Sequence, residues 1–100
     1  MNPRHIRVDF QLFASDAGGR STPLLTGYRS LIRFADTQLD YGFEVCSLEA
    51  ANLEGAPPGS SATATLSVWA AEALPLVLKG HRFEIREGNK VVGLGEVYAG

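Results

Sequence analysis

Residues 82–97, reading RFEIREGNKVVGLGEV, constrain the fold of this chain more than any other stretch. Phe83 and Ile85 alternate with Arg82, Glu84 and Arg86, the period-two pattern of a strand with one buried face. Gly88 and Asn89 both tolerate positive φ, which a two-residue hairpin turn of the primed types requires. The return strand then carries Gly93 and Gly95, spaced two apart and so on one face. Bare glycines in that arrangement mark a bulge, a tight bend or a close approach by another backbone. Such a hairpin suits a small closed barrel.

The remaining chain supplies further strands and short connections. Ile6, Val8, Phe10 and Leu12 alternate with Arg7, Asp9 and Gln11, and this run ends at the turn cluster around Gly18 and Gly19. Residues 20–27 have no clear period and read as an ordered loop or a broken strand. A second strand is expected over residues 28–34, followed by a turn over residues 36–40. Tyr41, Phe43 and Val45 alternate with Gly42, Glu44 and Cys46, which gives a third strand. The Gly- and Pro-rich residues 52–61 form the clearest loop, and residues 63–69 suit a fourth strand. Residues 70–74 have helical propensity, but Pro75 limits them to about one turn. With the closing hairpin this makes about six strands and one domain over residues 1–100, an all-β barrel or sandwich.

Charge and cysteine content narrow the chemistry. A formal net charge of −2 gives no global attraction to nucleic acid or anionic lipid, so any anion binding must come from a local patch. Cys46 is the only cysteine, which excludes an intrachain disulfide and a cysteine metal site and fits a reducing cytoplasm. His5 and His81 have no second ligand nearby in sequence. Residues 1–7 show no apolar signal core, and the longest apolar stretch, residues 68–78, is interrupted by Glu72 and Pro75. The expectation is a cytoplasmic protein with no membrane partner. No motif places Cys46 with a histidine as a nucleophilic pair, so no catalysis is expected.

Two blocks point to a family. Residues 18–23 (GGRSTP) followed by Gly27-Tyr28-Arg29 resemble the GGRHTPF…GYRPQF segment of the third, carboxy-terminal domain of elongation factor Tu. Residues 80–97 resemble that domain's last hairpin, GLRFAIREGGRTVGAGVV, and Pro58-Gly59-Ser60 stands where the family has its PGD turn. The resemblance spans roughly residues 6–98, specific at both ends and weak between residues 35 and 78. It implies a closed six-stranded antiparallel Greek-key barrel. No GxxxxGK[ST] loop is present, so the resemblance covers a module without the GTPase domain and implies no cofactor.

In the family this domain holds the T-stem backbone of aminoacyl-tRNA and packs against the GTPase domain. The resemblance therefore implies tRNA or another RNA as partner, through Arg20, Thr22, Arg29, Arg86, Glu87, Gly88 and Lys90. Of these, Arg20, Glu87 and Gly88 match family positions, and Lys90 replaces an arginine. The family's histidine after GGR is Ser21 here, its glutamine after GYRP is Leu31, and a basic position near the HP or KP proline falls on Leu74. Each residue also has a structural reading. Arg20 can pin its own loop through carbonyls or a carboxylate such as Asp16, Tyr28 and Arg29 can form a buried anchor with a paired cation, and Glu87–Lys90 can be a hairpin turn alone. The rival partner is a protein, or a second copy of the chain, on the surface equivalent to the GTPase-domain interface. That reading expects an exposed apolar patch drawn from Leu24, Leu25, Leu31 and Trp69.

Overall fold

The computed structural model describes residues 3–35, 37–49, 55–69 and 78–99. Six strands account for most of them: β1 (Arg4–Leu12), β2 (Arg29–Phe34), β3 (Tyr41–Glu49), β4 (Ser61–Val68), β5 (Arg82–Glu87) and β6 (Lys90–Ala99). They close in the order β1-β4-β3-β2-β5-β6, with every neighbouring pair antiparallel. Strand β1 lies beside β4 and not β2, which is the Greek-key arrangement. Closure leaves no free sheet edge.

The alternation read from the sequence is the alternation of burial. Ile6, Val8, Phe10 and Leu12 point inward from β1, as do Phe83 and Ile85 from β5 and Tyr41, Phe43 and Val45 from β3. Phe34 meets the rings of Tyr41, His81 and Phe83 inside the barrel. The pattern in β3 breaks at a bulge between Val45 and Ser47, and Cys46 is left exposed there.

The first hairpin inferred from sequence forms as expected. Glu87 pairs with Lys90 across Gly88 and Asn89, and Gly88 has φ +63°. Gly93 and Gly95 mark close approaches. A Cβ on Gly95 would stand 2.4 Å from Phe83 Cζ and 2.7 Å from the Asp9 carbonyl oxygen, and one on Gly93 would stand 2.9 Å from the Gln11 carbonyl.

Strand registers fix which connections meet. Leu12 pairs with Gly93, Gln11 with Ser61, and Leu31 with Arg86. The end of β1, the starts of β2 and β4 and the β5–β6 turn therefore share one end of the barrel. Residues 13–28 cross that end, through a short 3₁₀ turn (Ser15–Ala17) and a bridge between Leu24 and Ala56. The bridge pulls Leu24 into the core, so it leaves the expected apolar patch. Leu31 is half-buried, whereas Leu25 and Trp69 are exposed as expected. The helical turn expected before Pro75, Leu74, and Asp36 of the β2–β3 turn lie outside the described residues. Among the described residues no helix is long and apolar enough to cross a membrane.

Candidate functional site

At the capped end, two segments far apart in sequence are tied together. Gly19 makes this possible by its lack of a side chain, because a Cβ there would stand 2.0 Å from the Phe13 carbonyl oxygen. The chain thus folds tightly against the end of β1 and delivers Arg20 to the β5–β6 turn. The Arg20 guanidinium donates from Nη1 to Glu87 Oε2, and from Nη2 to Thr22 Oγ1 at 3.2 Å. Its planar group lies over the Tyr28 ring, 4.5 Å from the centroid, in cation–π geometry. The Tyr28 hydroxyl donates to the same Glu87 oxygen at 2.6 Å. Lys90 completes the tie by donating from Nζ to the Gly19 carbonyl at 3.0 Å.

Of the residues singled out from sequence, Arg20, Thr22, Glu87 and Lys90 form one cluster, with Gly88 in its turn. Arg29 stands nearby on β2 but is largely exposed and pairs with Glu44 across β3. Arg86 leaves the group: Nη1 donates to Glu84 at 2.8 Å, and its Nε lies 4.0 Å from Asp40. Arg20 does pin its own loop, donating from Nε to the Thr22 carbonyl at 3.4 Å, while the carboxylate it meets is Glu87 and not one of the loop such as Asp16. Arg29 does not pair with Tyr28, whose hydroxyl is taken by Glu87. Tyr28 is the central residue that sequence reasoning placed only as an anchor. Its phenol bridges to a carboxylate 59 positions away, and no local pattern signals such a contact.

The electrostatics follow from this closure. Burial pushes the Tyr28 phenol up, and the hydrogen bond to Glu87 raises it further, to about 12. Burial alone would also raise the Glu87 carboxyl. The hydrogen bonds from Tyr28 and Arg20, with the charges of Arg20 and Lys90, outweigh it and hold Glu87 below the usual glutamate range. A depressed carboxylate stabilises the fold above its unfolded pKa of about 4.3, and that contribution is lost as pH falls through the folded value. A raised phenol does the reverse: its contribution is complete below an unfolded pKa of about 10 and is lost as pH rises through the folded one. The tie is therefore intact across the neutral range. Replacing Glu87→Gln is expected to bring the Tyr28 titration down from about 12 toward the ordinary tyrosine value. Absorbance at the phenolate band, taken as the difference between this protein and a Tyr28→Phe variant, follows that one phenol. An unchanged titration would mean that Glu87 does not hold it.

Beside the tie lies an open concavity of about 440 Å³, lined by Arg20, Thr22, Pro23, Leu25, Thr26 and Tyr28. Leu25 is the exposed apolar side chain at its rim, with 52% of its surface accessible. Among the described residues no group of three His, Cys, Asp or Glu side chains could hold a metal ion. The Cys46 sulfur lies 2.8 Å from Ser67 Oγ. The sequence matches none of the models of known protein families.

Proposed function

We propose that the chain is a non-catalytic binding module with a barrel of the elongation factor Tu carboxy-terminal type, and that it docks a protein partner at the capped end. The observation that carries this reading is the concavity beside the Arg20–Tyr28–Glu87 tie, a fixed surface with an exposed leucine at its rim. Side chains already immobilised lose little entropy on binding, and a leucine among polar neighbours is an apolar anchor with a polar surround. The barrel type is supported by the strand order and by the two blocks of sequence resemblance, which meet at this end.

A second reading has one observation in its favour: Arg20, Arg29 and Lys90 lie at the same end, as a grip on an RNA backbone would need. The charge pattern opposes it. At this end Arg20 is paired with Glu87 and Arg29 with Glu44. Phosphate binding draws on cations that release counterions from the nucleic acid, and here those cations are largely answered by the barrel's own acids. The deciding experiment is capture from native extract by the immobilised barrel, with and without nuclease. A protein partner survives nuclease, whereas an RNA partner disappears and is weakened steeply by salt.

A further inference from the structure

A different surface, toward the opposite end of the barrel, has the character of a ligand site. A groove of about 440 Å³ is lined by residues of β2, β5 and β6 and by the chain that follows β2. Its lining includes three guanidinium groups (Arg33, Arg82 and Arg86), the Glu84 carboxylate, the polar Thr37 and Gln38, and the half-exposed Leu94. The volume lies within the range of roughly 300–1,000 Å³ typical of small-molecule pockets.

The arginines of this groove are not equally paired. Arg33 takes both oxygens of Asp40, with Nε to Oδ1 at 2.7 Å and Nη2 to Oδ2 at 3.2 Å. That fork-on-carboxylate pairing leaves Asp40 at 4.0 Å from Arg86 Nε, beyond hydrogen-bond reach. Arg86 is mostly buried, its Nε is shielded from solvent, and among the described residues no acceptor meets that nitrogen. Its Nη1 is hydrogen-bonded to Glu84. Arg82 faces Glu96 across the hairpin at 3.7 Å, with both side chains largely exposed, a loose pair of little energetic weight. Arg82 is thus only loosely paired, and Arg86, although Glu84 and Asp40 both stand near it, keeps one desolvated Nε without an acceptor among the described residues. A mostly buried guanidinium with an unmatched donor is costly alone and favours a planar oxyanion close by.

We propose that this groove binds a small organic ligand carrying an oxyanion, a carboxylate or a phosphate, with the anion held by Arg86 and Arg82 and the apolar part against Leu94. The apolar part is what separates this ligand from a bare inorganic ion. The guanidinium fork, and not charge alone, makes the recognition.

The test is a titration of the ¹⁵N-labelled full chain with benzoate, phenyl phosphate and inorganic phosphate, read from amide shifts. Expected are saturable shifts at Thr37, Gln38, Arg86 and Leu94, with an aromatic probe binding more tightly than inorganic phosphate. Whichever aromatic probe binds more tightly identifies carboxylate or phosphate as the preferred group. Arg86→Gln is expected to weaken binding at least tenfold, and Arg86→Lys to restore little of it, because lysine lacks the fork. Arg82→Gln, at an exposed position that leaves the core untouched, is expected to weaken binding severalfold and keeps the test valid should the Arg86 variants unfold. Arg29→Gln should bind as the parent does. Shifts that do not saturate, shifts confined to the capped end, or affinity unchanged in Arg82→Gln would overturn the proposal.

Discussion

Phe34→Ala is expected to remove about 3–5 kcal/mol of stability, a large part of the roughly 5–15 kcal/mol available to a domain of this size. The Phe34 side chain is only 2% exposed and lies at the meeting point of three rings, with centroids 6.2 Å away at Tyr41, 6.1 Å at Phe83 and 6.5 Å at His81. Truncation removes the transfer free energy of the ring and its edge-to-face contacts, and it opens a cavity that a closed barrel cannot easily collapse. The strands around it are tied to neighbours on both sides, so no edge can move in to fill the space. Phe34→Leu keeps most of the volume and should cost under about 1.5 kcal/mol. Urea unfolding checks both, through the midpoint at constant slope. A loss under about 1 kcal/mol in Phe34→Ala would mean that this end of the barrel is loosely packed.

Gly95→Val is expected to be comparably damaging for the opposite reason. Valine is a favourable strand residue in general, and propensity alone predicts a gain. Packing decides otherwise. The new Cβ would begin 2.4 Å from Phe83 Cζ and 2.7 Å from the Asp9 carbonyl oxygen. The phenyl ring could turn aside only into an occupied core, and the carbonyl belongs to the β1–β6 ladder, where Asp9 and Phe10 pair with Glu96 and Gly95. Overpacking of this kind costs about 1–3 kcal/mol, and the added γ-methyls place this substitution at the upper end. For a domain of about this size, such a loss lowers the thermal midpoint by roughly 4–8 °C per kcal/mol. A variant that melts with the parent would show that β6 stands off from Phe83.

The hairpin was legible because period-two alternation and the Gly88-Asn89 turn are both local signals. Gly93 and Gly95 announced close contact, although not that a β1 backbone and the Phe83 ring would supply it. β1 and β3 were legible for the same reason, up to the bulge at Cys46, which no residue in the chain foretells. The capped end was half legible. Its components, Gly19-Arg20 and Glu87-Gly88, stood out, but the contact between them depends on strand order. That order is set by non-local pairing across more than sixty positions. The same limit applied to Tyr28, whose role rests on Glu87, and to Leu24, which the bridge to Ala56 turns inward. The unequal pairing of Arg33 and Arg86 around Asp40 was wholly hidden, since it turns on distances of about one ångström.

Capture from native extract bears most directly on the proposed docking surface, when parent barrel and Leu25→Asp are compared after nuclease treatment. Leu25 is exposed and outside the core, so the variant should fold as the parent does, which a matching urea midpoint would verify. A carboxylate at the anchor of an apolar contact is expected to cost at least about 1.4 kcal/mol, a tenfold loss of affinity. The predicted result is a defined protein retained by the parent after nuclease and lost by Leu25→Asp. Retention that vanishes with nuclease in the parent, or that is equal in the two proteins, would contradict it.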